Sequence, residues 1–209
     1  KTGFRGQDFM IFDYGLCLLA AFLASLVSGL GGFGGGFIIV LFLAPVVGPK
    51  AVIPLVAAYA IFGNISRILV YRRDIDWPLV GQFTLASLPG VYLGANVFVW
   101  MNEAMLGMFL GLTLIIAVPI RRLLKKYEFR YGMKTIIGFG FLFGTISGTT
   151  AGSGMFVIAG LSGLGLGGVA LLGTDAAIGL VNAIARSAAY WQFDSLPRDI
   201  FIAGLLMGL

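Results

Sequence analysis

The glycine-rich stretch at residues 29 to 36 constrains this chain more than any other feature. Six of its eight residues are glycine, and apolar runs flank it at residues 12–30 and 37–47. Glycine weakens a helix and permits positive φ, so we expect the backbone to break or turn here. Both flanks suit lipid, which places the break near or inside a bilayer. At that depth non-helical backbone has to be buried in protein or line a cavity.

A related stretch follows at an offset of 119 residues, Ser147-Gly-Thr-Thr-Ala-Gly-Ser-Gly-Met-Phe156. The same offset gives 15 identities between residues 22–78 and residues 141–197. Two of these identities lie far from the glycines, Arg67/Arg186 and Tyr71/Tyr190. We interpret the pattern as an internal duplication. Duplicated membrane halves with glycine-interrupted helices at corresponding positions are typical of transporters whose site lies at the breaks.

Composition excludes a soluble domain. Hydrophobic residues make up 59% of the chain and charged residues 11%, against about 25% charged residues in soluble proteins. The net charge of +5 does not indicate a nucleic-acid partner, because the basic residues cluster between apolar runs as in a membrane protein. The chain has no histidine and one cysteine, Cys17. We therefore predict a multi-pass protein of a bacterial-type inner membrane, without metal or other cofactor and not an enzyme.

The hydropathy pattern predicts an all-α fold of two duplicated four-span halves, each with a broken or re-entrant helix. The first repeat covers residues 1–123, a basic cytoplasmic linker 124–134 and the second repeat 135–209. The second repeat is shorter than the first, so we expect the native protein to continue beyond residue 209. The predicted helices are a first span at 12–30, a half helix at 37–47, a span from Pro49 or Pro54 to 71, and then 78–100, 104–120, 135–146, 156–166, 169–191 and 200–209.

Charge distribution also predicts the topology. The basic linker and the connector Arg72–Asp76 belong on the cytoplasmic side, and the Met101–Glu103 turn on the other side. If the half helices are re-entrant, the two halves run parallel. If the half helices span, the halves are inverted. We favour the parallel version because it places more basic residues inside.

Several motifs together resemble the TauE/SafE sulfite exporter family of membrane permeases. They are the break Gly32-Phe-Gly-Gly-Gly36 with its echo, Gly173-Thr174 in a later helix, and Arg72-Arg-Asp-Ile-Asp-Trp77 between spans. The resemblance covers nearly the whole chain. It implies a secondary transporter of two four-span halves whose substrates are small sulfur-containing anions, such as sulfite, sulfoacetate or related sulfonates.

The two breaks and two helix faces supply the predicted binding site. N–H groups at half-helix N-termini, with the positive end of the helix dipole, suit an anion. Asn64/Arg67 and Asn182/Arg186 are spaced so that each pair shares one helix face. An arginine inside a span without an acid in its own helix needs a counter-charge, which a substrate anion would supply. The predicted substrate-binding residues are Gly34, Gly35, Gly36, Asn64, Arg67, Thr149, Thr150, Ser153, Gly154, Asn182 and Arg186.

Two residues are candidates for coupling transport to an ion gradient, Thr174 and Asp175. Asp175 lies in an apolar segment where the first repeat has Val56. A carboxylate at this place would suit proton coupling. The alternative is that Thr174 or Asp175 caps a helix that starts there.

Structural interpretations compete with the binding site. The pairs Gly32/Gly36 and Gly144/Gly148 have the GxxxG spacing that lets helices pack closely. Both arginines lie near helix ends, where they would snorkel to the membrane interface. Residues 29 to 34 match the dinucleotide pattern GxGxxG, but no strand precedes them.

The predicted function is a secondary transporter, in the exporter direction, for a small sulfur-containing anion. Its partners are this anion, the lipid bilayer and a proton or other coupling ion, with no nucleic acid. The alternatives are a passive anion channel and a membrane-embedded enzyme. The sequence argues against the enzyme alternative because the chain has no histidine and no cysteine cluster.

Overall fold

The computed structural model describes residues 19, 22–26, 35–126, 132–151 and 153–208, and all statements on structure below refer to these residues. They contain helices and no strand, as the predicted all-α fold requires. The helices of ten or more residues are α1 (Gly35–Val47), α2 (Pro49–Tyr71), α3 (Trp77–Trp100), α4 (Glu103–Lys126), α5 (Met133–Thr149), α6 (Gly154–Gly163), α7 (Gly168–Gln192) and α8 (Arg198–Gly208).

Most helix starts follow from local sequence signals. Helix α2 begins at Pro49, directly after Gly48 with φ of 83°, and so confirms the first of the two predicted starts. Helix α3 begins after Asp76, whose side chain accepts a hydrogen bond of 3.1 Å from the backbone N–H of Leu79. The predicted first span at 12–30 lies outside the described residues, except for Leu19 and residues 22–26, which are helical.

Helix α4 is longer than predicted. We expected it to end near residue 120, but it continues to Lys126. The additional residues are arginine, leucine and lysine, which are all good helix formers, so the end of the apolar run does not end the helix. The predicted linker 124–134 therefore begins and ends within helices, because α5 starts at Met133.

Three helices are long and apolar enough to cross a membrane by length and composition, α2, α3 and α7. Helices α1 and α6 are apolar but have only 13 and 10 residues. At about 1.5 Å per residue they extend about 20 and 15 Å, less than the ~30 Å of a bilayer core. The protein is thus a multi-pass membrane protein that combines full-length helices with two half-length helices.

Glycines hold α3 and α5 together as a close, parallel pair. A Cβ atom added to Gly144 would collide with the carbonyl oxygen of Ser87, and one added to Gly148 would collide with that of Val91. In the same way Gly94 of α3 faces the backbone of α5. The packing interpretation of Gly144/Gly148 is therefore confirmed. The corresponding interpretation of Gly32 falls outside the described residues.

Helices α2 and α7 pack against each other in opposite directions. Gly173, near the start of α7, contacts Tyr71 at the end of α2. Farther along α7, Gly179 contacts Asn64, which lies earlier in α2. The preferred parallel version required these two helices to run in the same direction, because they occupy corresponding positions of the repeat. That version is wrong, and the antiparallel packing is what the inverted alternative requires.

The short helix α6 turns back along α5. Gly160 of α6 packs against the ring of Phe139, which lies near the start of α5. The chain thus runs along α5 to Thr149 and returns along α6 from Gly154, before α7 begins. Helices α1 and α6 begin at Gly35 and Gly154, which are 119 residues apart, and the starts of α2 and α7 have the same offset.

Candidate functional site

A cavity of about 120 Å³ lies where α1, α2, α5, α6 and α7 meet. Both short helices reach it with their N-terminal residues, Gly35 and Gly36 from α1 and Gly154 from α6. The structure thus brings the ends of the two glycine-rich breaks to one place. Nine of the predicted residues line the cavity: Gly35, Gly36, Asn64, Arg67, Ser153, Gly154, Asp175, Asn182 and Arg186.

The other predicted residues that the structure describes do not line it. Gly34 lies outside the described residues. The Thr149 hydroxyl donates to the carbonyl oxygens of Thr145 and Gly94, at 2.9 and 3.2 Å. Its hydrogen bond is therefore made within the α3–α5 pair and is not offered to the cavity. Thr150 is buried off the cavity wall, where its carbonyl oxygen accepts a hydrogen bond from Arg186.

Thr174 has a structural role instead. Its hydroxyl accepts a hydrogen bond of 3.0 Å from the backbone N–H of Asp76, and so ties the α2–α3 connection to α7. The alternative that Thr174 or Asp175 caps a helix is wrong. Helix α7 begins at Gly168, so both residues lie within its interior.

Residues at the 119-residue offset line the cavity in pairs. Six pairs of lining residues are separated by 119 residues: Gly35/Gly154, Val56/Asp175, Ala60/Gly179, Gly63/Asn182, Asn64/Ala183 and Arg67/Arg186. In α2 and in α7 these positions recur at spacings of four and three residues, the stripe of one helix face. Ala60, Gly63 and Gly179 were not predicted to line the cavity, although this spacing together with the offset identifies them.

Arg67 has its counter-charge inside the protein. Its Nη2 lies 2.6 Å from Asp175 Oδ2 and also donates to the carbonyl oxygen of Leu172 at 3.1 Å. Both side chains are largely buried, with exposed fractions of 11% and 6%. The counter-charge of Arg67 thus comes from the protein and not from a substrate, because α7 supplies the carboxylate that α2 lacks.

Arg186 has no such partner. Its Nη1 donates to the carbonyl oxygens of Ser147 and Thr150, at 2.9 and 3.1 Å, and no carboxylate of the described residues lies within 4 Å. Its Nε has no hydrogen-bond partner among these residues, and only 5% of the residue is exposed. Arg186 is thus a buried cation at the cavity rather than an arginine that snorkels to the interface.

The arrangement around Arg186 is fixed by neighbouring polar groups. Tyr190, one turn farther along α7, donates a hydrogen bond of 2.6 Å to the carbonyl oxygen of Gly148. Asn182, one turn earlier, is held by Ser87 of α3 at 2.9 Å and donates to Ile178 of its own helix at 2.8 Å. The face of α7 that carries Arg186 is therefore anchored to α3 and to the end of α5.

Chemically, the cavity suits a small anion. It combines one unneutralised guanidinium with two helix N-termini, whose dipoles place partial positive charge there. A planar guanidinium can hold two oxygens at once. Within the described residues there is no group of three histidine, cysteine, aspartate or glutamate side chains that would hold a metal ion.

Comparison with known proteins gives the family. No curated protein and no solved structure matched the chain. A family model described as sulfite exporter TauE/SafE matches residues 17–209, which is most of the sequence and includes every helix described above. This family is one of membrane transporters of the sulfite exporter type. The chain belongs to the TauE/SafE sulfite exporter family.

Proposed function

We propose that this protein is a secondary transporter that moves a small sulfur-containing anion out of the cell across the inner membrane. The substrate class is sulfite, sulfoacetate or a related sulfonate, and it binds in the cavity between α2 and α7. One observation carries the proposal: Arg186 is a buried cation of the cavity wall without a carboxylate partner among the described residues. An anion is the ligand that such a group stabilises most.

The proposed binding groups surround this arginine. Backbone N–H groups of Gly35, Gly36 and Gly154 and the hydroxyl of Ser153 contact the oxygens of the anion. Arg186 supplies the charge. Asn64, Arg67 and Asn182 complete the polar wall. These residues are supported by their place on one cavity wall that both repeats build.

The sequence-based count took the helix before each break as a full span, but α5 has only 17 residues and forms a hairpin with α6. A hairpin that leaves the membrane on the side where it enters adds no crossing, so each half has an odd number of crossing helices and the halves are inverted. The proposal therefore includes two inverted, duplicated halves in which α1 and α6 are re-entrant. Each of these helices is too short to span and begins at the cavity. The antiparallel packing of α2 and α7 fits a pseudo-twofold axis in the membrane plane. In this arrangement the α2–α3 connection and the basic linker after α4 face the cytoplasm, since both carry clustered arginine or lysine residues.

Coupling to a proton or another ion is assigned to Asp175. This carboxylate lies in a membrane-spanning helix, lines the cavity and is paired with Arg67. A change in its charge alters the electrostatic field in which the substrate binds. Thr174 is not proposed as a coupling residue, because its hydroxyl accepts a hydrogen bond from the backbone N–H of Asp76.

The proposal is tested by counterflow in proteoliposomes. Vesicles loaded with unlabelled sulfite should accumulate radiolabelled sulfite from outside, whereas empty liposomes and vesicles with Arg186→Gln should not. A passive channel would equilibrate the label without transient accumulation. Label recovered in a chemically changed form would indicate an enzyme. Absence of counterflow with sulfite and with sulfoacetate would overturn the proposed substrate class.

A further inference from the structure

We propose that the cavity selects anions of a single negative charge and that Asp175 sets this preference. The inference rests on the proposed function, because it concerns the same cavity, and it adds which charge state of substrate fits. It is derived from the charges that face the cavity and from one difference between the two repeats.

The charged side chains of the described cavity wall are Arg67, Asp175 and Arg186. The first glycine-rich stretch adds none, since residues 15–34 of the sequence contain no aspartate, glutamate, lysine, arginine or histidine. The sum is one positive charge. A buried site that is surrounded by apolar helices is most stable when its total charge is zero. A monoanion such as hydrogensulfite or a monosulfonate reaches this state, whereas a dianion such as sulfoacetate or fully ionised sulfite leaves one negative charge in excess.

The position of Asp175 determines how many positive charges the cavity offers to an anion. Its Oδ2 lies 2.6 Å from Arg67 Nη2, so the first arginine is already neutralised before an anion enters. Arg67 is also held by Leu172 and by Asn64, whose Oδ1 lies 3.4 Å from its Nη1. Removing the carboxylate would leave the guanidinium in place with its charge available to a ligand.

The corresponding position of the first repeat is Val56, which also lines the cavity and is buried. Val56 corresponds to Asp175, and Arg67 corresponds to Arg186, because each pair is 119 residues apart. A carboxylate at position 56 would therefore be the counterpart of Asp175 for Arg186. The two halves therefore differ by one carboxylate. Four proteins with a defined cavity charge follow: the wild type (+1), Asp175→Asn (+2), Val56→Asp (0) and the double variant Val56→Asp/Asp175→Asn (+1).

The experiment measures equilibrium binding to the purified full chain in lipid nanodiscs. The probes are methanesulfonate, with one charge, and sulfate, with two, because both present oxygens on tetrahedral sulfur. The wild type should bind methanesulfonate more tightly than sulfate. Asp175→Asn should shift the ratio of the two dissociation constants toward sulfate by about 10- to 100-fold, the range for unit charges several ångströms apart in a protein.

The other two variants provide the matched controls. Val56→Asp should weaken binding of both probes, because its carboxylate neutralises Arg186. The double variant should restore the wild-type preference, because it moves the carboxylate from one half to the other without changing the total charge. Monodisperse elution in size-exclusion chromatography and thermal unfolding establish that each variant is folded. If Asp175→Asn does not fold, Asp175→Ser replaces it.

The inference is overturned by an unchanged ratio in folded Asp175→Asn, by a double variant that prefers sulfate, or by a wild type that binds sulfate more tightly than methanesulfonate. A wild type that binds neither probe also overturns it. Counterflow of sulfite is measured separately. Its presence would keep the proposed function even when the charge preference fails, and the proposed substrate class would fall, independently of the binding result, if neither sulfite nor sulfoacetate showed counterflow.

Discussion

The two arginines of the cavity occupy corresponding positions of the repeat and have opposite surroundings. Arg67 is paired with Asp175 across the interface between α2 and α7, whereas Arg186 bonds to two backbone carbonyl oxygens and to no carboxylate of the described residues. The difference arises at one position, Val56 in the first repeat and Asp175 in the second. Two segments related by one sequence offset can thus place the same cation twice, with a carboxylate partner at only one of the two places among the described residues. The following experiments test this comparison, from the largest expected effect to the smallest.

The largest effect is expected from Gly154→Leu, which tests whether both arginines face one shared space. A Cβ at Gly154 meets no atom within 4 Å, so a side chain there extends into the cavity without distorting the backbone. Transport should fall below detection while the thermal stability is retained. The control is Gly81→Leu, an exposed position of α3 that is equally open, where transport should be unchanged. Full transport by a folded Gly154→Leu protein would place the substrate elsewhere.

Exchange of each arginine for lysine measures how much each guanidinium contributes to anion affinity. Arg186→Lys keeps the charge but loses the planar group that bonds Ser147, Thr150 and the anion together. We expect about a 10- to 100-fold loss of affinity for the anion, the effect of one or more charged hydrogen bonds. Arg67→Lys should cost less, because an ammonium can still pair with Asp175. Both variants are compared by binding and by sulfite counterflow.

Equal losses in the two lysine variants would remove the distinction between the arginines. Wild-type binding and transport in both would mean that neither guanidinium is needed. The site would then depend on the backbone N–H groups and on the hydroxyl of Ser153.

A smaller effect, on stability, is expected at the repeated tyrosines. Tyr190 is fully buried and its hydroxyl donates to Gly148 at the end of α5. Tyr190→Phe leaves this carbonyl oxygen without its partner and should lower the free energy of unfolding by about 1–3 kcal/mol. Tyr71, the counterpart at the end of α2, is only partly buried and makes no such bond within the described residues. Tyr71→Phe should leave the thermal unfolding midpoint unchanged, and an equal shift in both variants would contradict the prediction.

The smallest effect is expected from Thr174→Val. The change keeps the shape of the side chain and removes the acceptor of the Asp76 N–H, which should cost about 1 kcal/mol of stability. Thr174 does not line the cavity, so anion affinity should stay within about twofold of the wild type, less than 0.5 kcal/mol. Thermal unfolding and anion binding are measured on the same preparation. A large loss of affinity at unchanged stability would bring Thr174 back as a coupling residue.

Much of the fold was predictable because its signals are local. Apolar runs, prolines and glycines fix where helices begin and end, and the starts of α1, α2, α6 and α7 lie within a few residues of the prediction. The error in the predicted end of α4 has a local cause as well, because arginine and lysine end an apolar run without ending a helix. The repeat offset predicted which residues correspond, and it identified Arg67 and Arg186 as a pair.

The sequence by itself determined that this is a membrane protein with two glycine-rich stretches and two related arginines. The tertiary structure decided that α2 and α7 run antiparallel, that Asp175 neutralises Arg67 across 108 residues of chain, and that Arg186 is left at the cavity. The physical reason is that lipid and protein interior are both apolar, so hydropathy does not specify which helix faces meet. That choice depends on close contacts such as those at Gly173 and Gly179, which exist only once the helices are packed.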